Sequence, residues 1–360
     1  MRGGVVSRLW IVLLLLVVVW LFGPTRASVG QLPGVASWRV DPRHLPDPAT
    51  TSPAGIASYF AGLTADQALA LAREYPGVVG NLDGAPLALR YAVNGFGGRQ
   101  IMALDRRGDG RIVEVLGDLA AAERVVVLIP GVDNTLADFD TGLGGVRRRA
   151  PAWQARQLFQ RVGEKVAVIA WLGYDPPEGI RRAALREDRA AAGALALRRF
   201  VDGLVVDRPD RRIVVVGHSY GSVVAGRAAA RLPAQVTDIV ALGSPGLGVA
   251  TRAQLGGAAR VWAGSAPDDW TRKLPAIRVF GLGHGRSPVD PRFGALPLPA
   301  GDVTGHDGYF LSDTSTLAAI AQLATSRDGE IPRGASAMTS TAGSWISSRS
   351  PSSPGNAIVS

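Results

Sequence analysis

The chain has 360 residues, nearly half of them apolar, no cysteine, and a formal net charge of +9. A chain of that size and composition buries a sizeable core, as one large domain or two small ones, which excludes wholesale disorder. The missing cysteine excludes disulfides, thiolate nucleophiles and cysteine-ligated metals, and leaves the redox compartment unmarked.

Almost all the positive charge is arginine; only Lys165 and Lys273 are lysines. The arginines occur as pairs (Arg181-Arg182, Arg198-Arg199, Arg211-Arg212) and as the run Arg147 to Arg149. Two readings stand: contact with an anionic membrane surface or cell-wall polymer, or, preferred here, arginines spread over solvated helix faces. No aromatic-interleaved basic stripe accompanies them, so no nucleic-acid partner is expected. Oligomeric state is not legible.

At the N-terminus Arg2 and Arg8 precede the apolar run at 9–22, "LWIVLLLLVVVWLF", and "GPTRA" follows. A charged start, an apolar core and a helix-breaking Gly-Pro before Ala27 read as an export signal over 1–27. The core would span about 21 Å as a helix, short of a hydrocarbon layer of about 30 Å. Cleavage is therefore preferred over an uncleaved signal anchor, although Thr25 is an imperfect residue for a cleavage site. Either way the body is expected outside the cytoplasm, secreted or associated with the cell envelope.

Residues 28–55 are Pro-rich and read as a linker or wrapping arm. The stretch 56–74 is helical in spacing, with Thr64 and Gln67 in a capping-box pattern and Leu63 as its staple. Residues 75–94, "YPGVVGNLDGAPLALRYAVN", read as a turn-rich connector. Residues 99–118 read as two strands about a turn, in which Arg107-Gly108-Asp109 is turn chemistry rather than an adhesion motif. From residue 123 strands and helices alternate. "RVVVLI", "KVAVIAWL", "RIVVVG", "VTDIVALGS", "ARVWAGS" and "AIRVFGLG" read as strands. Helices over 150–163, 185–207 and 222–232 lie between them, and a last helix spans 314–325. Short Val/Ile-rich runs separated by helices indicate an α/β fold with a mostly parallel sheet. Beyond residue 325 the chain is rich in Ser, Pro and Gly and is expected to be a disordered tail over 326–360.

"IVVVGHSYGS" carries the chemistry. Gly-x-Ser-x-Gly alone is a weak signal in a glycine-rich chain. Here a β-branched strand runs straight into it and a helix follows, the context of a nucleophile elbow with Ser219 at its apex. Gly217 and Gly221 lack the Cβ atoms that such a turn would not admit. Of four histidines, His44 lies in the arm, and His218 reads as a packed or hydrogen-bonded residue. His284 and His306 follow the elbow. His306, in a Gly-flanked loop before the last helix, is the preferred general base, with His284 as the second candidate. Asp268 and Asp269 in "RVWAGSAPDDW" are the candidate acids. One would hold the imidazole and the other cap a turn or face solvent. The oxyanion hole would come from the N–H groups of Tyr220 and Val132, with Gly131 permitting the turn. Asp133 and Asp138 read as turn or capping groups.

Taken in order, "YPGVVGNLDGAPLALRYAVN", "VVVLIPGVDNT", "VVVGHSYGS", "ALGSPG", "RVWAGSAPDDW", "GLGHGRSPVDPRFGA" and "GHDGYF" make the sequence resemble the α/β-hydrolase superfamily. Within it the sequence is similar to an actinobacterial family known as DUF1023. The resemblance spans about 56–325. It implies an α/β-hydrolase fold with an N-terminal helical and hairpin extension, Ser219 as nucleophile, His306 as base, and the Asp of Asp-Asp-Trp as acid. Asp269, next to Trp270, is the residue favoured on that ground, and "GLGHG" with His284 is a shared feature of open role. The resulting expectation is a serine hydrolase acting on a small-molecule or lipid-like acyl substrate, with no metal or organic cofactor. The alternatives are an acyltransferase of the cell envelope and a non-catalytic binding protein on the same fold.

Overall fold

The computed structural model describes residues 31–179, 182–278 and 282–326. The export segment at 1–27 and all but Ser326 of the tail lie outside these residues. Among the described residues no helix is long and apolar enough to cross a membrane.

One sheet of eight strands organises the described chain. Its strands are β1 (Gln100–Asp105), β2 (Arg111–Leu116), β3 (Arg124–Ile129), β4 (Val166–Leu172), β5 (Arg212–His218), β6 (Val236–Leu242), β7 (Arg260–Gly264) and β8 (Leu296–Pro297), in the order β1-β2-β4-β3-β5-β6-β7-β8. The first two form an antiparallel hairpin, and β2 meets β4 antiparallel. All pairings from β4 to β8 are parallel. This is the α/β-hydrolase fold.

Each central strand buries both faces, which is why it reads as an unbroken Val/Ile run. Val125, Val127 and Ile129 of β3 point to one side. There they meet the Asp188–Val206 helix through Leu197, Phe200 and Val201, and the Tyr220–Ala228 helix through Val223 and Val224. Val126 and Leu128 point to the other side, against the helices Pro151–Val162 and Ser315–Thr325. Strand order reverses between β3 and β5. In an open parallel sheet the crevice for ligands lies at the carboxyl ends of the strands at such a switch point.

Ahead of the sheet, residues 31–55 carry the first described helices. Val35–Arg39 is a short helix whose Trp38 is fully buried, its indole N–H donating to the Pro46 carbonyl at 2.8 Å. Trp38 shares a core with Ile56, Phe60, Leu71, Val78 and Val79. Thr64 and Gln67 form the expected capping box. Truncating Trp38 empties a sealed site, so Trp38→Ala should cost about 3–5 kcal/mol of stability. A urea-unfolding midpoint equal to wild type would show the arm to be dispensable.

Two expectations are corrected. Residues 75–94 are more than a turn-rich connector: they contain the helices Pro76–Val79 and Leu87–Asn94. Proline at the first helical position removes only an N–H that has no intrahelical partner, so Pro76 opens a helix rather than barring one. "AIRVFGLG" does not supply a sheet strand over 276–278, and its residues 279–281 lie outside the described set. β8 takes the free edge of β7 instead, pairing Leu296 with Trp262 and Pro297 with Ala263. Ile277 is left 58% exposed. A two-residue strand ending in proline suits an edge, where the missing N–H costs no ladder bond.

Candidate active site

β5 ends at His218 and the next helix starts at Tyr220, so Ser219 alone makes the turn. Its backbone sits at φ 53°, ψ −127°, a left-handed conformation rarely adopted by a residue with a side chain. The glycines beside it are there for space. A Cβ on Gly217 would lie 2.5 Å from Ser222 Cα, and one on Gly221 2.3 Å from the Ile129 carbonyl oxygen. The Ser219 N–H donates to the Leu242 carbonyl at 2.9 Å. Its own carbonyl accepts from the Ser222 hydroxyl at 2.6 Å, and that hydroxyl lies 2.7 Å from Ser244 Oγ. The turn is thus tied to β6 and to the loop after it.

The two aspartates separate cleanly. Asp269 is buried, with both carboxylate oxygens 2.9 Å from His306 Nδ1. Thr271 donates to Oδ1 through its N–H at 2.9 Å and its hydroxyl at 2.7 Å, and the Tyr309 hydroxyl donates to Oδ2 at 2.5 Å. Burial alone would raise the pKa of this carboxyl. The His306 bond and charge and the two hydroxyls outweigh it and hold the group well below the usual carboxylate range. Asp268 is exposed and accepts the Gly305 N–H at 2.8 Å, capping the turn that carries His306.

A donor to a carboxylate must carry its proton, so Nδ1 of His306 is protonated and Nε2 is an acceptor in the neutral ring. His306 and Ser219 line one cleft of about 520 Å³, together with His218 and Trp270. Trp270 lies 5.0 Å from the His306 ring, centre to centre. Ser219 Oγ has no hydrogen-bond partner among the described residues. Gly243 closes the floor behind the pair: a Cβ there would lie 2.6 Å from Asp269 Oδ2 and 3.0 Å from the His306 ring.

The loop after β3 forms the facing wall. A Cβ on Gly131 would approach Ser219 Cβ to 2.7 Å, so glycine lets this backbone reach the elbow. Neither the Val132 N–H nor the Tyr220 N–H has an acceptor among the described residues, which leaves both free for a ligand. Asn134 braces the loop, its amide donating to the carbonyls of Gly131 at 3.2 Å and Val132 at 3.0 Å. Asp133, itself at φ 61°, accepts the Gly179 N–H, and Asp138 accepts the Thr135 hydroxyl at 2.8 Å. Both are turn groups.

The other histidines fall elsewhere. His44 is exposed in the arm. His284 is buried away from the pair, against the Tyr220 ring, and donates from Nε2 to the Ala184 carbonyl at 2.6 Å. His218 packs on the His306 ring with centres 4.7 Å apart and donates from Nε2 to the His306 carbonyl at 2.7 Å. Burial, then the His306 charge, lowers its pKa from 6.5 to about 4. The folded state therefore favours the neutral ring. The stability this contributes is full above pH 6.5 and is lost as pH falls towards 4. His218→Phe should flatten that part of the acid-unfolding curve and loosen the His306 loop by removing the bond to its carbonyl. An acid-unfolding curve parallel to wild type would refute the assignment.

Sequence reasoning missed Asn134, Thr271, Tyr309 and the trio Arg148, Arg149 and Asp307. The Arg147 to Arg149 run was expected on a solvated helix face. It forms a 3₁₀ turn instead, and Arg148 and Arg149 bind Asp307, next to His306, at 2.8 and 2.5 Å. A partner some 160 residues away leaves no local pattern. The only signal was three like charges in a row.

A parallel-sheet fold with a serine elbow and a buried Asp–His pair at its switch point defines an α/β hydrolase. Comparisons agree. Residues 105–279 match a family model described as "Alpha/beta hydrolase". An uncharacterized protein of Mycobacterium tuberculosis is 34% identical over 229 residues, covering 61% of this chain and 79% of that protein, and one from Mycobacterium bovis matches equally. The chain belongs to this alpha/beta hydrolase family. Among solved structures, the esterase PE8 is similar at 17% identity with a TM-score of 0.37, over 58% of this chain and 95% of that one. A carboxylesterase from Mesorhizobium loti is similar at 16% identity with a TM-score of 0.38, over 61% of this chain and 96% of that one.

Proposed function

We propose that the protein is a serine hydrolase that cleaves a carboxylic ester or related acyl bond through an acyl-enzyme. The observation that carries this reading is the buried Asp269–His306 pair opening onto the same cleft as Ser219. In the proposed cycle His306 Nε2 takes the Ser219 proton as Oγ attacks the carbonyl carbon. Asp269 keeps the proton on Nδ1 and stabilises the imidazolium. The N–H groups of Val132 and Tyr220 receive the oxyanion, aided by the positive end of the nine-residue helix that Ser219 caps. Collapse expels the alcohol, which takes the proton from His306. Water, activated by the same histidine, then attacks the acyl-enzyme and regenerates Ser219.

A fluorophosphonate probe should label the folded protein at Ser219, read by peptide mass spectrometry. Folded protein that resists the probe and hydrolyses no p-nitrophenyl ester would overturn the proposal. We place the protein outside the cytoplasm, on the strength of the charged start, the short apolar run and the Gly-Pro break in residues 1–27.

A further inference from the structure

The cleft wall holds two cations that the hydrolytic cycle does not use. Arg148 and Arg149 line the cleft with Ser219 and His306, and each side chain is 46% exposed. Each spends its Nε–H on Asp307, one on each carboxylate oxygen. Their terminal Nη groups have no acceptor among the described residues. Asp307, by contrast, is nearly enclosed, with 12% of its side chain exposed and both oxygens occupied. Asp133, the other carboxylate of the wall, is engaged by the Gly179 N–H. Asp307 has both oxygens occupied and Asp133 one, while the outer edges of the two guanidinium groups have no acceptor among the described residues. Asp307 holds those groups side by side, so little side-chain freedom is left to lose when a ligand binds.

We propose that Arg148 and Arg149 recognise an anionic group on the substrate, so that the ester cleaved at Ser219 also bears a carboxylate or phosphate-like anion. Planar guanidinium forks match both groups, and a charge-assisted hydrogen bond in a cleft is stronger than a neutral one. The assignment rests on the hydrolase reading above and adds its substrate class. If the pair served only to hold the His306 loop, its loss would lower kcat for charged and neutral esters alike. A recognition role changes their ratio.

The test compares kcat/KM for p-nitrophenyl hydrogen adipate, its methyl-capped diester and the phosphonate of the same length. Carboxy-nitrophenyl butyrate against p-nitrophenyl butyrate places the anion on the alcohol side. Wild type should favour an anionic member of at least one series about tenfold at low salt, with the preference shrinking as salt screens it. The better of adipate and phosphonate tells which anion fits. In Arg148→Gln/Arg149→Gln the ratio should fall to about one, mainly through KM, and each single variant should fall between. Equal turnover of charged and neutral esters by wild type overturns the assignment and leaves the hydrolase reading standing. So does a preference that survives in the folded double variant. No turnover of any of these esters by folded wild type overturns the assignment, and resistance to the fluorophosphonate as well overturns both.

Discussion

Ser219→Ala is expected to lower kcat for p-nitrophenyl ester hydrolysis by about 10⁴-fold or more, and to abolish fluorophosphonate labelling. The size follows from the role. Removing the nucleophile of a serine triad leaves only binding and oxyanion stabilisation, and the triad acts as a unit. The same position makes a second, opposite expectation. Ser219 is held at φ 53°, where a side chain is strained by about 1–3 kcal/mol and glycine is not. Ser219→Gly should therefore lose activity as fully as the alanine variant while melting higher. The flexibility of glycine in the unfolded chain takes back about 0.5–1 kcal/mol, so the rise should be a few degrees at most. An alanine variant that retains a tenth of wild-type activity would remove Ser219 from the chemistry. A glycine variant that melts below the alanine variant would remove the strain from the account.

Asp269→Asn should cost about 10³–10⁴ in kcat near neutral pH, and it is the sharper test of the pair. Four donors converge on this carboxylate: His306 Nδ1–H, the Thr271 N–H, and the hydroxyls of Thr271 and Tyr309. An amide offers one acceptor oxygen and turns an NH₂ towards the rest. If that NH₂ faces His306, the ring must put its proton on Nε2, where it cannot accept one from Ser219. If it faces Tyr309 or Thr271, a buried hydroxyl or amide N–H loses its acceptor, at about 1–3 kcal/mol. Asp268→Asn loses a charge but keeps an oxygen that accepts the Gly305 N–H, and it should leave kcat within about threefold of wild type. Reversed effects for the two variants would exchange their roles. The carboxylate also sets an acid limit. Its pKa is depressed in the folded protein, so its stabilisation is present above about pH 4 and is lost as pH falls below the unfolded value.

How much of this was legible in the sequence depended on how local each cause is. The parallel core announced itself because strands buried on both faces read as Val/Ile runs. The Thr64 cap and the Ser219 elbow were equally visible, since each is set by a few neighbouring residues. The helices Pro76–Val79 and Leu87–Asn94 were hidden behind Pro and Gly, which are as common at helix starts and stops as in loops. β8 had too few residues to show any period. At the site, the sequence brought forward two aspartates and two late histidines without separating either pair with certainty. Their geometry is decided by contacts between distant loops: Asp269 with His306, His218 with the His306 carbonyl, Ala184 with His284. The Arg148–Asp307 contact belongs with these.

His306 arrives late in the chain, after β8, and the contacts that seat it reach back to Arg148, His218 and Asp269. A chain emerging from the ribosome therefore completes the Ser219 elbow, Asp269 and the loop after β3 before it adds His306, the proposed base. A nascent chain lacking the segment beyond β8 would hold a strained serine without His306, the base proposed to activate it. The last thirty or so residues of the described chain thus act as an ignition key, and in a refolding experiment the proposed esterase activity should appear with the docking of this segment and not before it.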